Sequence, residues 1–547
     1  MVVRQLTTFI QMTATAALLY VCMLSTIACS DIEASETASP PNIVFILADD
    51  LGFRDVGFSG STVIRTPTLD RLAFDGVRLD NYYVQPICSP TRSQLLSGRY
   101  QIHTGLQHAS IGPCLPFGLP EEIPTLADRL RTAGYATHMV GKWHVGFYKE
   151  QLLPTRRGFD SFFGFLSGRE DHYRHTLCDH LSRYFDDRSN EWDLSPADLY
   201  AMAIDDRVYC GYDRRSNETV SVNDSGHYST HVFTRKAVDV ITSHVENRET
   251  KPFFLYLSYQ AVHNPLQVPE AYVKPYATSI DDNERRTYAG MTSCLDEGVL
   301  NVTTALEKHG LWNNTILIFS TDNGADADYG GNNWPLRGWK YSLWEGGLRG
   351  VAFVHSPLIA RQSGTVNNDL MHVTDWFPTL LGLAGANTSG LDVDGFDVWS
   401  SISNGDPSPR TEILHNIDPL RLLRGSRLNI SQFDNRVFAA IRVGDWKLIT
   451  GNQFNGSWIA PPEDPTCQSI SDPDPESKNI WLFDLSSDPE EKTDLFDLRQ
   501  DIAVEMLNKL VYYEATAVSV RYPMPDPNCD PQLYGGAWGP WRGEARP

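Results

Sequence analysis

Continuous apolar runs of strand length recur along the chain, at Ile43 to Ala48, Thr137 to Val140, Phe253 to Tyr259, Ile316 to Ser320 and Val351 to His355. They alternate with helical periodicity at Ile123 to Ala133, Thr230 to Val245, Ala289 to His309 and Trp376 to Ala384. Runs that are apolar on both faces, separated by helices, predict an α/β fold: a large, mostly parallel sheet sandwiched by helices. Polar groups follow the strand ends, Asp49-Asp50 after the first and Asp322-Asn323 after the fourth. In open α/β sheets that carboxyl edge is where sites assemble. Residues 168 to 228 lack apolar periodicity and are rich in Asp, Arg, His and Tyr, so they are expected to form an insertion over the sheet edge. Past Gly405 the pattern changes to short strands (Val437 to Val443, Trp446 to Ile449, Trp481 to Asp484), a helix (Asp501 to Ala515) and a Pro-rich tail. The expected division is a large domain over 41–405 and a smaller α+β domain over 406–547.

The N-terminus changes the picture of where this fold matures. Arg4, an apolar run from Ala16 to Leu24 and small residues ending at Ser30 read as a secretory signal peptide over 1–30, too short for a stable membrane span. Asn-x-Ser/Thr sequons at Asn217, Asn223, Asn301, Asn313, Asn387, Asn429 and Asn455 are glycosylation candidates and favour a eukaryotic secretory route, lysosomal or extracellular. Of nine cysteines, Cys22 and Cys29 leave with the signal peptide. Setting Cys88 aside for chemistry leaves Cys114, Cys178, Cys210, Cys294, Cys467 and Cys529, whose pairing the sequence does not dictate. Cys178 with Cys210, which flank a polar insert, and Cys114 with Cys529 are the preferred pairs; Cys294 reads as a buried thiol. Lys plus Arg number 46 against 68 Asp plus Glu, a net charge of −22. Such a surface argues against nucleic-acid binding, so a polyanion must be drawn in by a local basic pocket.

One segment stands out chemically. Cys88-Ser89-Pro90-Thr91-Arg92 leads into Ser93-Gln94-Leu95-Leu96-Ser97-Gly98-Arg99. Pro90 suits a first helical position, Leu95 and Leu96 give a short amphipathic helix a face to bury, and Gly98 can end it. Cys88 then lies near exposed N–H groups that favour an anion. Asp49 and Asp50 after a buried strand repel each other unless a cation neutralises them. In isolation each feature has a plainer reading, a structural cysteine or a turn.

Taken together they resemble the type I sulfatases. Cys88 to Tyr100 resembles the family's first signature, with Thr91 where serine is frequent, and Gly141-Lys142-Trp143-His144-Val145-Gly146 resembles the second. Leu266 to Glu270, Gly330 to Gly338 and Ser342 to Gly347 are most similar to the branch formed by arylsulfatase B and its paralogues. The resemblance runs from about Pro41 to beyond Leu498 and implies an alkaline-phosphatase-like sulfatase fold. It implies that Cys88 is oxidised to formylglycine by a formylglycine-generating enzyme, giving a hydrated aldehyde as nucleophile.

By resemblance, Asp49, Asp50, Asp322, Asn323 and residue 88 hold a divalent cation, and their oxygens suit Ca²⁺ before Mg²⁺. Asp322 helps deprotonate the attacking hydroxyl, and His144 takes the second hydroxyl's proton. Lys142 and Arg92 hold charge around the diol. His263 and Lys340 bind the sulfate and protonate the leaving alcohol. The expected activity is hydrolysis of sulfate esters, on aryl sulfates and on sulfated sugars such as the N-acetylgalactosamine 4-sulfate of chondroitin or dermatan sulfate. Two alternatives stay open: a phosphate or phosphonate ester hydrolase on the same fold, and a catalytically silent glycoprotein that binds sulfated glycans.

Overall fold

The computed structural model describes residues 39–180, 207–359, 364–421, 423–454, 456–475 and 477–543. The expected signal peptide, the sequon at Asn455 and the middle of the expected insertion lie outside these residues. Pro41–Pro547 is one compact unit.

Its centre is a ten-stranded sheet. Five adjacent strands are parallel, in the order Thr315–Thr321, Asn42–Ala48, Phe253–Ser258, Ala136–Lys142 and Ser161–Phe165. Ala352–His355 and Arg214–Ser216 flank this group antiparallel. The apolar run of the first strand explains its central place. Ile43, Phe45 and Leu47 face one core with Tyr256 and Trp376, while Val44 and Ile46 face another with Leu257 and Val299. Alternation in a strand covered on both sides requires apolar residues at every position.

Leu126–Thr132, Ser229–Glu246 and Trp376–Leu383 fall within three residues of their predicted spans, whereas Asn283–Lys308 begins six residues before the predicted Ala289. Leu126–Thr132 starts at a capping box in which Thr125 and Asp128 satisfy each other's backbone N–H groups. Ser229–Glu246 and Asn283–Lys308 pack against each other and against the sheet. Beyond residue 405, Glu412–Asp418, Phe438–Val443, Trp446–Thr450 and Ile480–Asp484 form a second, antiparallel sheet, against which Gln500–Thr516 packs. Both preferred cysteine pairs are bonded. Cys178–Cys210 joins directly opposed residues of Thr176–His180 and Val208–Tyr212, and Cys114–Cys529 spans 415 residues. Cys294 is a buried free thiol, as expected. The six described sequon asparagines are all exposed. Among the described residues no helix is long and apolar enough to cross a membrane.

A buried charge cluster ties the second sheet to the segments carrying Glu345 and Glu491. Lys447 Nζ lies 2.8 Å from Glu345 Oε1 and 2.7 Å from Glu491 Oε1, with all three side chains fully buried. Burial, reinforced by Glu345 and opposed by Lys447, pushes the Glu491 carboxyl up to about 7. Glu345, in spite of burial, is held below its ordinary value by Lys447, Arg349 and Arg442. The folded state therefore binds the Glu491 proton more tightly than the unfolded chain does, and this contribution to stability is lost as pH rises from about 4.5 to about 7. Thermal unfolding of wild type and Glu491→Gln across that window is expected to show a shallower decline in the variant; identical slopes would contradict the assignment.

Candidate active site

Strand register assembles the site. Ala48 pairs with Thr321, so Asp49-Asp50 and Asp322-Asn323 leave adjacent parallel strands side by side. Leu47 pairs with Ser258 and Ser258 with Gly141, which brings Lys142 and the loop carrying His263 to the same edge. Gly141 sits at φ 109°, and a Cβ there would lie 1.8 Å from the Ser258 carbonyl oxygen, so only glycine permits this approach. Asp50 and His144 adopt φ of 57° and 55°. Left-handed backbone at non-glycine residues costs about 1–2 kcal/mol each and persists where the surroundings over-determine it.

The helix carrying residue 88 departs from expectation in two ways. It spans Cys88–Ser97, so Cys88 is itself the first helical residue and Pro90 the third, and every residue of it is buried. It is not amphipathic, because its polar side chains bond inward: Thr91 Oγ1 accepts from the Gln85 N–H, Ser89 Oγ from the Ile111 N–H, and Arg92 reaches across to the sheet. Gly98 ends it in the left-handed conformation at φ 68°, as predicted.

Three cations and three carboxylates meet there, none more than 3 % exposed. Arg92 grips Asp322 Oδ2 through Nη2 at 2.7 Å and Nε at 3.1 Å, and its Nη2 lies 3.6 Å from Asp49 Oδ1. Lys142 Nζ donates to Asp49 Oδ2 at 2.6 Å. Lys340 Nζ donates to Asp50 Oδ2 at 2.7 Å and lies 3.3 Å from His263 Nε2. Burial raises the Asp49 carboxyl, Asp322 adding to the rise and Lys142 and Arg92 opposing it. Asp322, in spite of burial, is held below its ordinary value by Arg92 and Lys142. Cys88 Sγ is 3.4 Å from Asp49 Oδ1. Burial raises the Cys88 thiol well above its ordinary value, Lys142 opposing and Asp322 and Asp49 adding to the rise.

The histidines are held in defined states. His263 Nδ1 donates to the Asn264 carbonyl at 2.7 Å, leaving Nε2 toward Lys340 as an acceptor. His144 Nε2 donates to the Ile111 carbonyl at 3.1 Å, while its buried Nδ1 has no hydrogen-bond partner among the described residues. Burial lowers both imidazoles, aided by Lys142 and Arg92 at His144 and by Lys340 and Lys142 at His263.

Donor atoms of Asp49, Asp50, Cys88 and His263 lie within 4.8 Å of one another. Asp322 Oδ1 accepts the Asp50 N–H at 3.2 Å, and Asn323 Nδ2 donates to Asp50 Oδ1 at 2.7 Å. Asn323 Oδ1 is buried with no hydrogen-bond partner among the described residues. Clustered carboxylates beside an orphaned amide oxygen fit a hard cation that takes oxygen ligands.

The cluster opens into a cavity of ≈ 120 Å³ whose walls include Cys88, Ile111, His144, Arg169, His263, Lys340 and Tyr341. The catalytic and metal candidates Cys88, Arg92, Lys142, His144, His263, Lys340, Asp49, Asp50, Asp322 and Asn323 therefore converge. Sequence reasoning missed Ser258, whose hydroxyl joins Arg92 to the Lys142 carbonyl, and Ile111, whose carbonyl orients His144, because neither type carries a chemical signal. Arg169 was also missed, although a basic residue within the polar insert was a visible cue.

A family model described as Sulfatase matches residues 41–386. The chain is 47% identical to arylsulfatase J of Mus musculus over 519 residues, covering 92% of this chain and 80% of that protein. It is 30% identical to arylsulfatase A of Bos taurus over 487 residues, covering 87% of each. Among solved structures it superposes on Ps i-CgsB in complex with k-i-k-neocarrahexaose with a TM-score of 0.70 at 26% identity, covering 91% of this chain and 98% of that one.

Lys142→Met removes the nearest cation from fully buried Asp49. It is expected to cost about 3–5 kcal/mol of stability, the scale for breaking a buried ion pair, with much of the loss recovered in Lys142→Met/Asp49→Asn. Denaturant unfolding measures both; a single variant within about 1 kcal/mol of wild type would contradict the ion-pair assignment.

Proposed function

The chain belongs to the sulfatase family, and from that membership we propose that it removes sulfate from sulfated sugars with residue 88, matured from cysteine to formylglycine by a formylglycine-generating enzyme, as nucleophile. The observation that carries this reading is the position of Cys88: at a helix start, 3.4 Å from Asp49, which Lys142 holds, and lining a cavity together with His144, His263 and Lys340. A geminal diol there would supply one hydroxyl to displace the sugar oxygen from sulfur and a second to drive release of sulfate.

Asp49, Asp50, Asp322, Asn323 and residue 88 would hold a divalent cation, Ca²⁺ in preference to Mg²⁺. When bound, it would neutralise charge on the transferring group and lower the pKa of the neighbouring hydroxyl. Without it, three carboxylates face three cations; with it, the site carries an excess of positive charge that matches an anionic sulfate ester. Arg92 and Lys142 fix Asp322 and Asp49 in place. Asp322, oriented by Arg92 and the Asp50 N–H, would help deprotonate the attacking hydroxyl, with Asp49 3.4 Å from residue 88 beside it. His144 keeps Nδ1 as a base for the second hydroxyl. Lys340, bridging Asp50 and His263, is the proton source for the departing sugar oxygen.

The substrate proposed is N-acetylgalactosamine 4-sulfate in chondroitin or dermatan sulfate, together with small aryl sulfates; the relatives' names support the aryl sulfates and the sugar, not the position of its sulfate. One is N-acetylgalactosamine-6-sulfatase of Mus musculus, 30% identical over 386 residues and 68% of each chain. Two disulfides and exposed sequons support maturation in the secretory pathway and a lysosomal or extracellular site of action.

Mass analysis of the tryptic peptide containing residue 88 is expected to show a loss of about 18 Da relative to cysteine. Cys88→Ala is expected to abolish turnover of nitrophenyl sulfate while leaving secretion largely intact. Unmodified Cys88 in active protein, or a preference for nitrophenyl phosphate over the sulfate, would overturn the proposal.

A further inference from the structure

The sequon Asn217-Glu218-Thr219 begins on the wall of a cavity of ≈ 520 Å³, within the roughly 300–1,000 Å³ of pockets that take a small ligand. This groove lies apart from the reactive site. Ala136 and Ser161, the first residues of their strands, line it, whereas Lys142, which serves the active site, is the last residue of its own. The buried side chains of Met139, Val140, Phe162 and Phe163 make its floor apolar. A second wall is one face of the helix Ser229–Glu246, where Lys236, Asp239, Val240 and Ser243 recur at three- and four-residue spacing.

The backbone fixes Asn217 at the rim. It takes φ 53°, a left-handed conformation that asparagine tolerates. Its N–H donates to the Phe162 carbonyl at 2.6 Å, and its Oδ1 accepts the Phe162 N–H at 2.9 Å. The next residue, Glu218, is held by Thr155 and Arg156. Asn217 is exposed, and its Nδ2, the atom that carries an N-linked sugar, makes no hydrogen bond among the described residues. A glycan on Nδ2 therefore leaves both bonds to Phe162 intact and starts inside the groove.

The groove's chemistry suits a neutral, hydroxyl-rich ligand. Asp160, Asp239 and Glu249 stand against Lys236 and Lys251, a mixture that gives no attraction to a sulfated substrate. Asp239, Ser243 and Asn247 are exposed, and their side chains make no hydrogen bond among the described residues, so they are available to sugar hydroxyls. Half-buried Val240 and the stem of Lys236, whose Nζ lies 4.8 Å from the Phe163 ring centroid, offer apolar surface to an N-acetyl methyl group.

Resting on maturation in the secretory pathway, we propose that this groove seats the protein's own N-linked glycan at Asn217. Its first two sugars, both N-acetylglucosamine, lie between the helix face and the edge of the sheet. Tethering makes a weak site sufficient: at an effective concentration of about 1 mM, an intrinsic Kd of about 0.1 mM keeps the sugars seated about nine-tenths of the time. An endoglycosidase that cuts between those two sugars then acts about tenfold more slowly on the native chain.

The test uses full-length secreted protein carrying oligomannose glycans, digested with such an endoglycosidase before and after denaturation, with peptide mass analysis reading each sequon. Cleavage at Asn217 is expected to be about tenfold slower than at exposed Asn223 in the native protein and equal to it after denaturation. Ser243→Trp, a change at an exposed helix position, is expected to fill the groove and bring Asn217 to the Asn223 rate, with turnover of nitrophenyl sulfate unchanged. Equal native rates at the two sites, a slow rate that persists in Ser243→Trp, or an unmodified Asn217 beside glycosylated sequons would overturn the seat. Absence of glycan from every sequon would overturn the secretory reading, and the seat with it.

Discussion

Six ionisable side chains withdrawn from water must neutralise one another, and this constraint organises the structure. A lone buried carboxylate or ammonium is penalised by several kcal/mol even after relaxation. Asp49, Asp50 and Asp322 each have a cation within 2.7 Å, from Lys142, Lys340 and Arg92 respectively. The pairs come from the ends of three strands, a helix and a loop distant in sequence, so they form only if the parallel register is correct. The alignment of Ala48 with Thr321 and of Ser258 with Gly141 is therefore as much a property of the site as of the sheet. The same balance would give the cluster its chemical use: a divalent ion added to a neutral set would leave positive charge facing residue 88.

Packing beyond the cluster holds it in shape. The Cys88–Ser97 helix is buried on every side, which keeps residue 88 from swinging toward solvent. Lys340 lies on a segment tied to the second sheet, where Arg337 sits over Trp344, 3.6 Å from the ring centroid, and Lys447 reaches Glu345. The C-terminal sheet thus acts as a buttress for one wall of the cavity. The Cys114–Cys529 disulfide anchors the tail next in sequence to Gly112 and Pro113, which also line the cavity.

The central strands were legible in the sequence because burial on two faces demands unbroken apolar runs, and the runs at Ile43 and Ile316 suit little besides a covered strand. The site was legible because chemically costly residues, Asp49-Asp50 above all, sat at the ends of those runs, and because two signatures resembled one family. Strand direction was not: nothing in Val351 to His355 announces that the strand runs antiparallel to its neighbour. The pattern misled at Cys88–Ser97, where a Ser/Gln-rich stretch reads as a half-exposed helix and the structure satisfies those groups inside. Partners acting through a backbone carbonyl, as Ile111 and Asn264 do, leave no trace in residue type.

The central claim is tested most directly by the divalent-metal content of purified mature protein, measured by elemental analysis for wild type and for Asp50→Asn with Asn323→Ala. Close to one hard divalent ion per wild-type chain is predicted, and its loss in the double variant. Wild-type protein stripped of divalent ions that still hydrolyses sulfate esters at the full rate would contradict the claim.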